Sequence, residues 1–155
     1  MRLDLLAVGQ RSPDWVTTGF ETFAKRMPRQ LPLRLRSVAA GEARRGGDVA
    51  KAQSQEADAL LNSVNGARVI ALDERGEAWR TQDVADFLDQ AMHEGRDLAF
   101  MIGGADGLHR RCLDAAERHW SLSTLTLPHM LVRVVVAEQL YRAWTLLSGH
   151  PYHRS

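Results

Sequence analysis

The sequence predicts an α/β fold, a mainly parallel sheet flanked by helices, in one domain spanning residues 1–155. Two observations predict it. Five short apolar runs recur along the chain, and the stretches between them carry helical rather than alternating apolar periodicity. The length fits a single core, and 45% hydrophobic with 25% charged residues is an ordinary globular mix.

The predicted strands are residues 3–8, 33–38, 68–72, 98–102 and 122–127, each apolar and bounded by polar or turn-forming residues. Residues 14–27 place Trp15, Val16, Phe20, Phe23, Ala24 and Met27 on one helical face. Residues 48–61 form a weakly amphipathic helix. Thr81 is placed to cap a helix carrying Val84, Phe87, Leu88, Ala91 and Met92, with Gly95 as its stop. Residues 105–119 carry Leu108, Cys112, Leu113 and Ala116 at helical spacing. The valines of 131–137 favour a strand, but the apolar pattern continues to Leu147 and Gly149 makes a good stop, so a long helix is expected. A helix this apolar must be covered on most sides, by its own domain or by a second subunit. The loop 39–47, with three glycines and two arginines, is the expected mobile segment.

Composition excludes several classes. No apolar run approaches the roughly 20 residues that span a bilayer. The opening apolar run is interrupted by Asp4 and reads as a strand, not a signal peptide. A single cysteine, Cys112, cannot form an internal disulfide, which fits a reducing cytoplasm, and is expected to be a small buried hydrophobe rather than a nucleophile. The net charge is only +1, but it is unevenly spread. Residues 25–51 hold eight basic side chains (Lys25, Arg26, Arg29, Arg34, Arg36, Arg44, Arg45, Lys51) against two acidic ones; residues 56–94 hold nine acidic against three basic. The basic segment is either a phosphate-contacting surface or a solvated face.

The chemistry-bearing positions cluster late. Gly103, Gly104 and Gly107 follow a strand and precede a helix, where glycines let a ligand approach the backbone. The pattern is neither the dinucleotide fingerprint nor a phosphate loop, and the chain has no nucleophile elbow. Asp73 ends a strand and either binds a ligand or caps the turn. His93, His109 and His119 fall at helical positions and are expected to be solvated. Glu138 and Arg142 are spaced as a helical ion pair. His150 and His153 lack a neighbouring carboxylate or cysteine to complete a metal set, so no metal is expected. Arg133, a cation on the most apolar helix, needs a partner or a ligand. A hydroxyl-rich segment, 121–127, runs through Pro128 into His129, and the chain closes on His150, Pro151, Tyr152, His153 and Arg154. A buried helix does not need such an ending for stability.

These segments carry a family resemblance. Ala7 to Gly9, Pro13 to Trp15, Ile102 to Gly104, Leu125 to His129, Val132 to Val134, Glu138 to Trp144 and His150 to Arg154 are similar to the bacterial RlmH-type enzymes of the SPOUT class, over essentially the whole chain. Those enzymes methylate N3 of a pseudouridine in 23S ribosomal RNA. The resemblance implies a SPOUT-type sheet with a C-terminal trefoil knot, a topology that ordinary connection rules would not suggest. It implies S-adenosylmethionine as donor, held mostly through backbone groups by Leu72, Gly103, Gly104, Leu122, Ser123, Thr124, Leu125, Thr126 and Leu127. It implies a cytoplasmic homodimer through the 131–147 helix, and 23S rRNA within the assembled ribosome as partner, without a membrane. N3 of the base is a poor nucleophile until its imide proton leaves, so a base or a cation near the ring oxygens is needed. His129, Arg133, His153 and Arg154 are the candidates, with Tyr152 to stack on the base. A non-catalytic ribosome-binding module of the same fold is the rival expectation, separable by donor binding. A small-molecule hydrolase is disfavoured, because no nucleophile motif is present.

Overall fold

The computed structural model describes residues 1–154. Five strands, β1 (Leu3–Val8), β2 (Leu33–Val38), β3 (Arg68–Ala78), β4 (Leu98–Ile102) and β5 (Arg118–Ser121), form one sheet in the order β2-β1-β4-β3-β5. Every pairing is parallel. Parallel strands need crossovers, and those crossovers cover both faces of the sheet. Helices α1 (Asp14–Ala24), α3 (Thr81–Glu94) and α5 (His129–Ser148) share one core with Leu5, Ala7, Ile70, Phe100 and Ile102. Helices α2 (Val49–Asn62) and α4 (Arg110–Ala115) share the other with Leu6, Val8, Val69, Ala99 and Met101. Successive strand residues thus alternate between two apolar layers, which is why β1 and β4 are buried throughout.

The one acidic residue of β1, Asp4, is almost buried. It is held by Arg34 at 3.1 Å and Arg36 at 3.8 Å from the adjacent strand β2. Helix α5 lies between α1 and α3; a Cβ on Gly19 of α1 would come within 3.0 Å of Val134, so the two helices approach closely. Gly95 and Gly149 end α3 and α5 in the left-handed region, at φ 73° and 76°, as expected of glycine stops. Cys112 is fully buried on α4, and burial pushes its thiol up to about 11, so it is inert as expected. No helix among the described residues is long and apolar enough to cross a membrane.

The structure corrects several expectations. Residues 122–127 are not a strand. The last strand is β5, and its partner residues on β3 begin at Ile70. The hydroxyls of the following segment fold it locally instead: Ser121 Oγ donates to the Ser123 carbonyl at 3.1 Å, and Ser123 Oγ accepts from the Leu125 N–H at 2.9 Å. His119 is therefore a strand residue, half-buried, with Nε2 2.7 Å from the Leu113 carbonyl. Helix α4 is six residues long, because 105–108 are spent in a turn and His109 caps the helix through Nδ1. Thr81 does not cap α3; the backbone N–H of Arg80 donates to Asp83 at 2.8 Å, and Thr81 donates to Gln139 of α5 at 2.8 Å. Loop 39–47 is fastened rather than free, through Glu56, Gln55 and Asp106.

Strand β3 runs past its expected end to Ala78, with its register on β5 shifting between Leu72 and Glu77. Gly76 lies in that irregular stretch. A Cβ there would sit 2.6 Å from the His119 carbonyl and 2.9 Å from the Trp120 nitrogen, both backbone atoms that cannot step aside. Gly76→Ala is expected to destabilise the protein by about 1–3 kcal/mol. A urea midpoint equal to that of the wild type would show that the edge accommodates the methyl group.

Candidate functional site

The carboxyl ends of β4 and β5, with the middle of β3, open onto a cavity of about 500 Å³. The carboxyl edge is where parallel sheets collect ligands, and the volume falls within the roughly 300–1,000 Å³ of small-molecule sites. Three chain segments wall it: Leu72 to Glu74 within β3, where its register on β5 begins to shift, the glycine turn after β4, and Leu122 to Pro128 between β5 and α5. Helix α5 closes it with His129 and Val132. Leu72, Ile102, Leu122, Leu127 and Val132 make the lining largely apolar. Ser123 and Thr126 add hydroxyls, the latter 3.3 Å from Glu74.

The glycine turn is tight. The Gly107 N–H donates to the Gly104 carbonyl at 3.0 Å, and a Cβ on Gly103 would lie 2.4 Å from the Gly107 carbonyl carbon. Only glycine at 103 lets the turn close and present its backbone to the cavity. Gly104 differs. Its missing Cβ points at Val8, 3.2 Å away, and at Glu56, 3.8 Å away. A side chain there would push the turn off its support instead of simply filling the cavity.

The nine residues expected to hold a donor divide cleanly. Leu72, Gly103, Gly104, Leu122, Ser123, Leu125, Thr126 and Leu127 line the cavity; Thr124 does not. Ile102, Val132 and Trp120 also line it and were not among the residues expected to hold the donor. Val132 was findable, since it lies three residues past His129 on the same helical face. Trp120 was not, because its position depends on where β5 falls.

The five candidate catalytic residues do not come together in one chain. His129 is at the cavity. Its Nδ1 is buried without a partner, and burial, then the charges of Arg133 and Arg44, hold its imidazole below the usual 6.5, partly opposed by Glu56. Arg133, one turn further, is 1% exposed and turned toward β1. It donates to the carbonyls of Val8 at 2.9 Å and Gly9 at 2.8 Å, and to Ser12 Oγ at 2.8 Å, while its buried Nε has no partner. All of these partners are neutral, and burial lowers its pKa. Arg133 therefore answers its sequence puzzle with backbone carbonyls, and it does not line the cavity.

Tyr152, His153 and Arg154 form a short 3-10 turn that folds back on α5. The Tyr152 hydroxyl donates to Glu138 at 3.1 Å, and its ring packs 4.8 Å from Tyr141 with the Arg142 guanidinium 4.9 Å above it. Burial and then the Glu138 carboxylate raise its phenol pKa. Glu138 is nine residues beyond His129, about 14 Å down the helix at 1.5 Å per residue. The Glu138–Arg142 pair expected from spacing is present at 2.7 Å. Asp73 does not end a strand: it lies within β3, lines the cavity, and accepts from the Arg75 N–H at 3.2 Å.

The basic segment is also reordered. Arg34 and Arg36 serve Asp4, Arg44 pairs with Glu56 and Asp106, and Arg26 lies over the rings of Phe23 and Tyr141. Lys25, Arg29, Arg45 and Lys51 remain exposed.

The depressed pKa of His129 has a testable sign. The unfolded chain takes up this proton more readily, so the contribution of His129 to stability is intact above 6.5 and is lost as pH falls below it. NMR titration is expected to give His129 a midpoint below 6.5, and His129→Gln should flatten the acid side of the stability profile. A midpoint above 6.5 would contradict the buried, cation-flanked environment.

A family model described as "Predicted SPOUT methyltransferase" matches residues 1–153. The chain is 50% identical over 155 residues to the Ribosomal RNA large subunit methyltransferase H of Alkalilimnicola ehrlichii, covering 100% of both chains. It is 48% identical over 155 residues to the protein of the same name from Methylococcus capsulatus, covering 99% of this chain and 100% of that one. The crystal structure of a probable methyltransferase from Bordetella pertussis Tohama I shares the fold, with a TM-score of 0.59 at 17% identity over 92% of this chain and 93% of that one. The family match across nearly the whole chain, joined to full-length identity near one half, shows that this chain belongs to the SPOUT methyltransferases, in their RlmH-type branch.

Proposed function

We propose that the protein methylates N3 of a pseudouridine in 23S ribosomal RNA, with S-adenosylmethionine as donor, acting in the cytoplasm as a homodimer on the assembled ribosome. The observation that carries this reading is the full-length identity near one half to two proteins named as ribosomal RNA large subunit methyltransferases. The cavity supports the donor assignment. Its apolar walls suit an adenine and a methylthio chain, and the tight turn at Gly103, which a Cβ would keep from closing, leaves backbone groups for polar contacts. Residues 1–155 are read as one domain. The C-terminal part of the chain is proposed to form a trefoil knot, a reading supported by its membership of the SPOUT family.

The donor supplies an electrophilic methyl group on a sulfonium. The chain's own residues prepare the acceptor. The imide proton must leave N3 before or as the ring nitrogen attacks, and neutral His129 at the cavity offers an unpartnered Nδ1 to receive it. The buried positive charge of Arg133, with no carboxylate on it among the described residues, favours the anionic ring that results. Tyr152, His153 and Arg154 do not line their own cavity, so they are proposed to complete the partner subunit's site. His153 carries a second buried, unpartnered Nδ1. The half-buried Leu131, Val134 and Val135 of α5, with Trp15 59% exposed and Leu125 70% exposed, supply apolar surface for a second copy.

Sedimentation is expected to find a dimer at micromolar concentration, and calorimetry to find donor binding. His153→Ala with Arg154→Ala should keep the dimer and donor binding but abolish methylation of ribosomes. These replacements are cleaner than removing the tail, because Tyr152 also packs on Tyr141. Heterodimers of this variant with Gly103→Val subunits should regain activity; their inactivity would overturn the shared site.

Arg45 and Lys51, exposed in the basic segment, are proposed to meet ribosomal RNA phosphates. Arg45→Glu with Lys51→Glu should weaken ribosome binding and flatten its salt dependence while leaving donor affinity unchanged. Wild-type ribosome affinity in that variant would make the segment a solvated face.

A further inference from the structure

The loop between β2 and α2 does not line the cavity, yet it is tied to the turn that does. Glu56 of α2 is 3% exposed, and a buried carboxylate needs both a cation and hydrogen bonds. It accepts from the Gly41 N–H at 2.9 Å and from Arg44 Nη2 at 2.9 and 3.1 Å. The other terminal nitrogen of Arg44 pairs with Asp106. One guanidinium thus bridges a buried acid on α2 and an acid on the glycine turn. Gln53, one turn earlier on α2, adds hydrogen bonds to the carbonyls of Asp106 at 3.0 Å and Gly107 at 3.4 Å.

The turn is held from the other side by contact. Gly103 has no room against Gly107, and Gly104 rests on Val8 and Glu56. Gly103, Gly104, Ala105 and Gly107 face the cavity, whereas Asp106 is not part of the lining and points to Arg44. The bridge therefore acts on the cavity wall from behind. A planar fork spans two carboxylates; a lysine ammonium would not replace it.

We propose that Arg44 is a positioning residue for the donor. By clamping Asp106 to Glu56, it fixes the 103–107 turn with its backbone turned to the cavity, and it touches no part of the donor itself. This rests on the reading of the cavity as the donor site. A clamp of this kind sets donor affinity, and breaking it at Asp106 leaves in place the Arg44 charge that acts on His129.

The test is a double-mutant cycle on donor binding. Asp106→Asn is the decisive variant, because Asp106 is 39% exposed and the amide keeps its shape. Asp106→Asn and Arg44→Gln are each expected to raise the Kd for S-adenosylhomocysteine about five-fold, and the double variant no further, since all three remove one link. With ribosomes as substrate, KM for the donor should rise in step, while in Asp106→Asn, which keeps the Arg44 charge near His129, kcat at saturating donor stays within about two-fold. The urea midpoint of Asp106→Asn should match that of the wild type, as for other exposed ion pairs. Should Arg44→Gln fail to fold, because Glu56 is left without its cation, Asp106→Asn decides alone. A Kd within two-fold of wild type in Asp106→Asn, or a fall in kcat with KM unchanged, overturns the clamp. So do single effects that multiply in the double variant. Absence of donor binding by the wild-type protein overturns the donor-site reading and the clamp with it; normal wild-type binding beside unaffected variants overturns the clamp alone.

Discussion

A parallel sheet cannot leave a face to water, because each crossover lays a helix across it. In this chain that constraint organises everything else. Strands β1 and β4 are buried on both sides, so their residues alternate between two apolar layers with no polar face at all. All strands point the same way, so all their carboxyl ends emerge along one edge. The segments following β4 and β5 meet the middle of β3 there and enclose the cavity. The site is a consequence of strand direction before it is a matter of particular side chains.

The charges taken into this core show how the edge is fixed. Asp4 and Glu56 are each held by arginine and join neighbouring elements, β1 to β2 and α2 to the loop before it. Arg133 is different. Two carbonyls and a hydroxyl at and just beyond the end of β1 accept from its terminal nitrogens, its buried Nε has no partner, and no carboxylate among the described residues pairs with it. After burial itself, this cation is the next cause that lowers the His129 pKa, followed by Arg44. One residue thus anchors the long helix to the sheet and adds to the electrostatics at the cavity.

The tail gives the second half of the story. Tyr152 is bound into an aromatic cluster with Tyr141 and Phe23 and is hydrogen-bonded to Glu138. The tail residues Tyr152, His153 and Arg154 do not line the cavity of their own chain. The proposed homodimer would bring the tail of one copy to the cavity of the other. Half-buried apolar residues along α5 fit the same arrangement.

What the sequence determined by itself was local. Apolar runs and helical spacing placed β1, β2 and β4 to the residue and found α5 despite its valines, because each pattern lies within a few residues of itself. Gly95 and Gly149 marked helix ends for the same reason. The likeness of short motifs pointed to the residues that wall the cavity. Tertiary structure decided whatever depends on a distant partner. Residues 122–127 look like a strand, but the edge of β3 is already taken by Arg118 to Ser121. Arg44 looks like an RNA contact, but Asp106 lies 62 residues away in sequence and beside it in space. Arg133 has no local answer, because its acceptors are more than a hundred residues upstream. Periodicity encodes which face of an element is buried; it carries no record of which remote backbone will arrive to meet it.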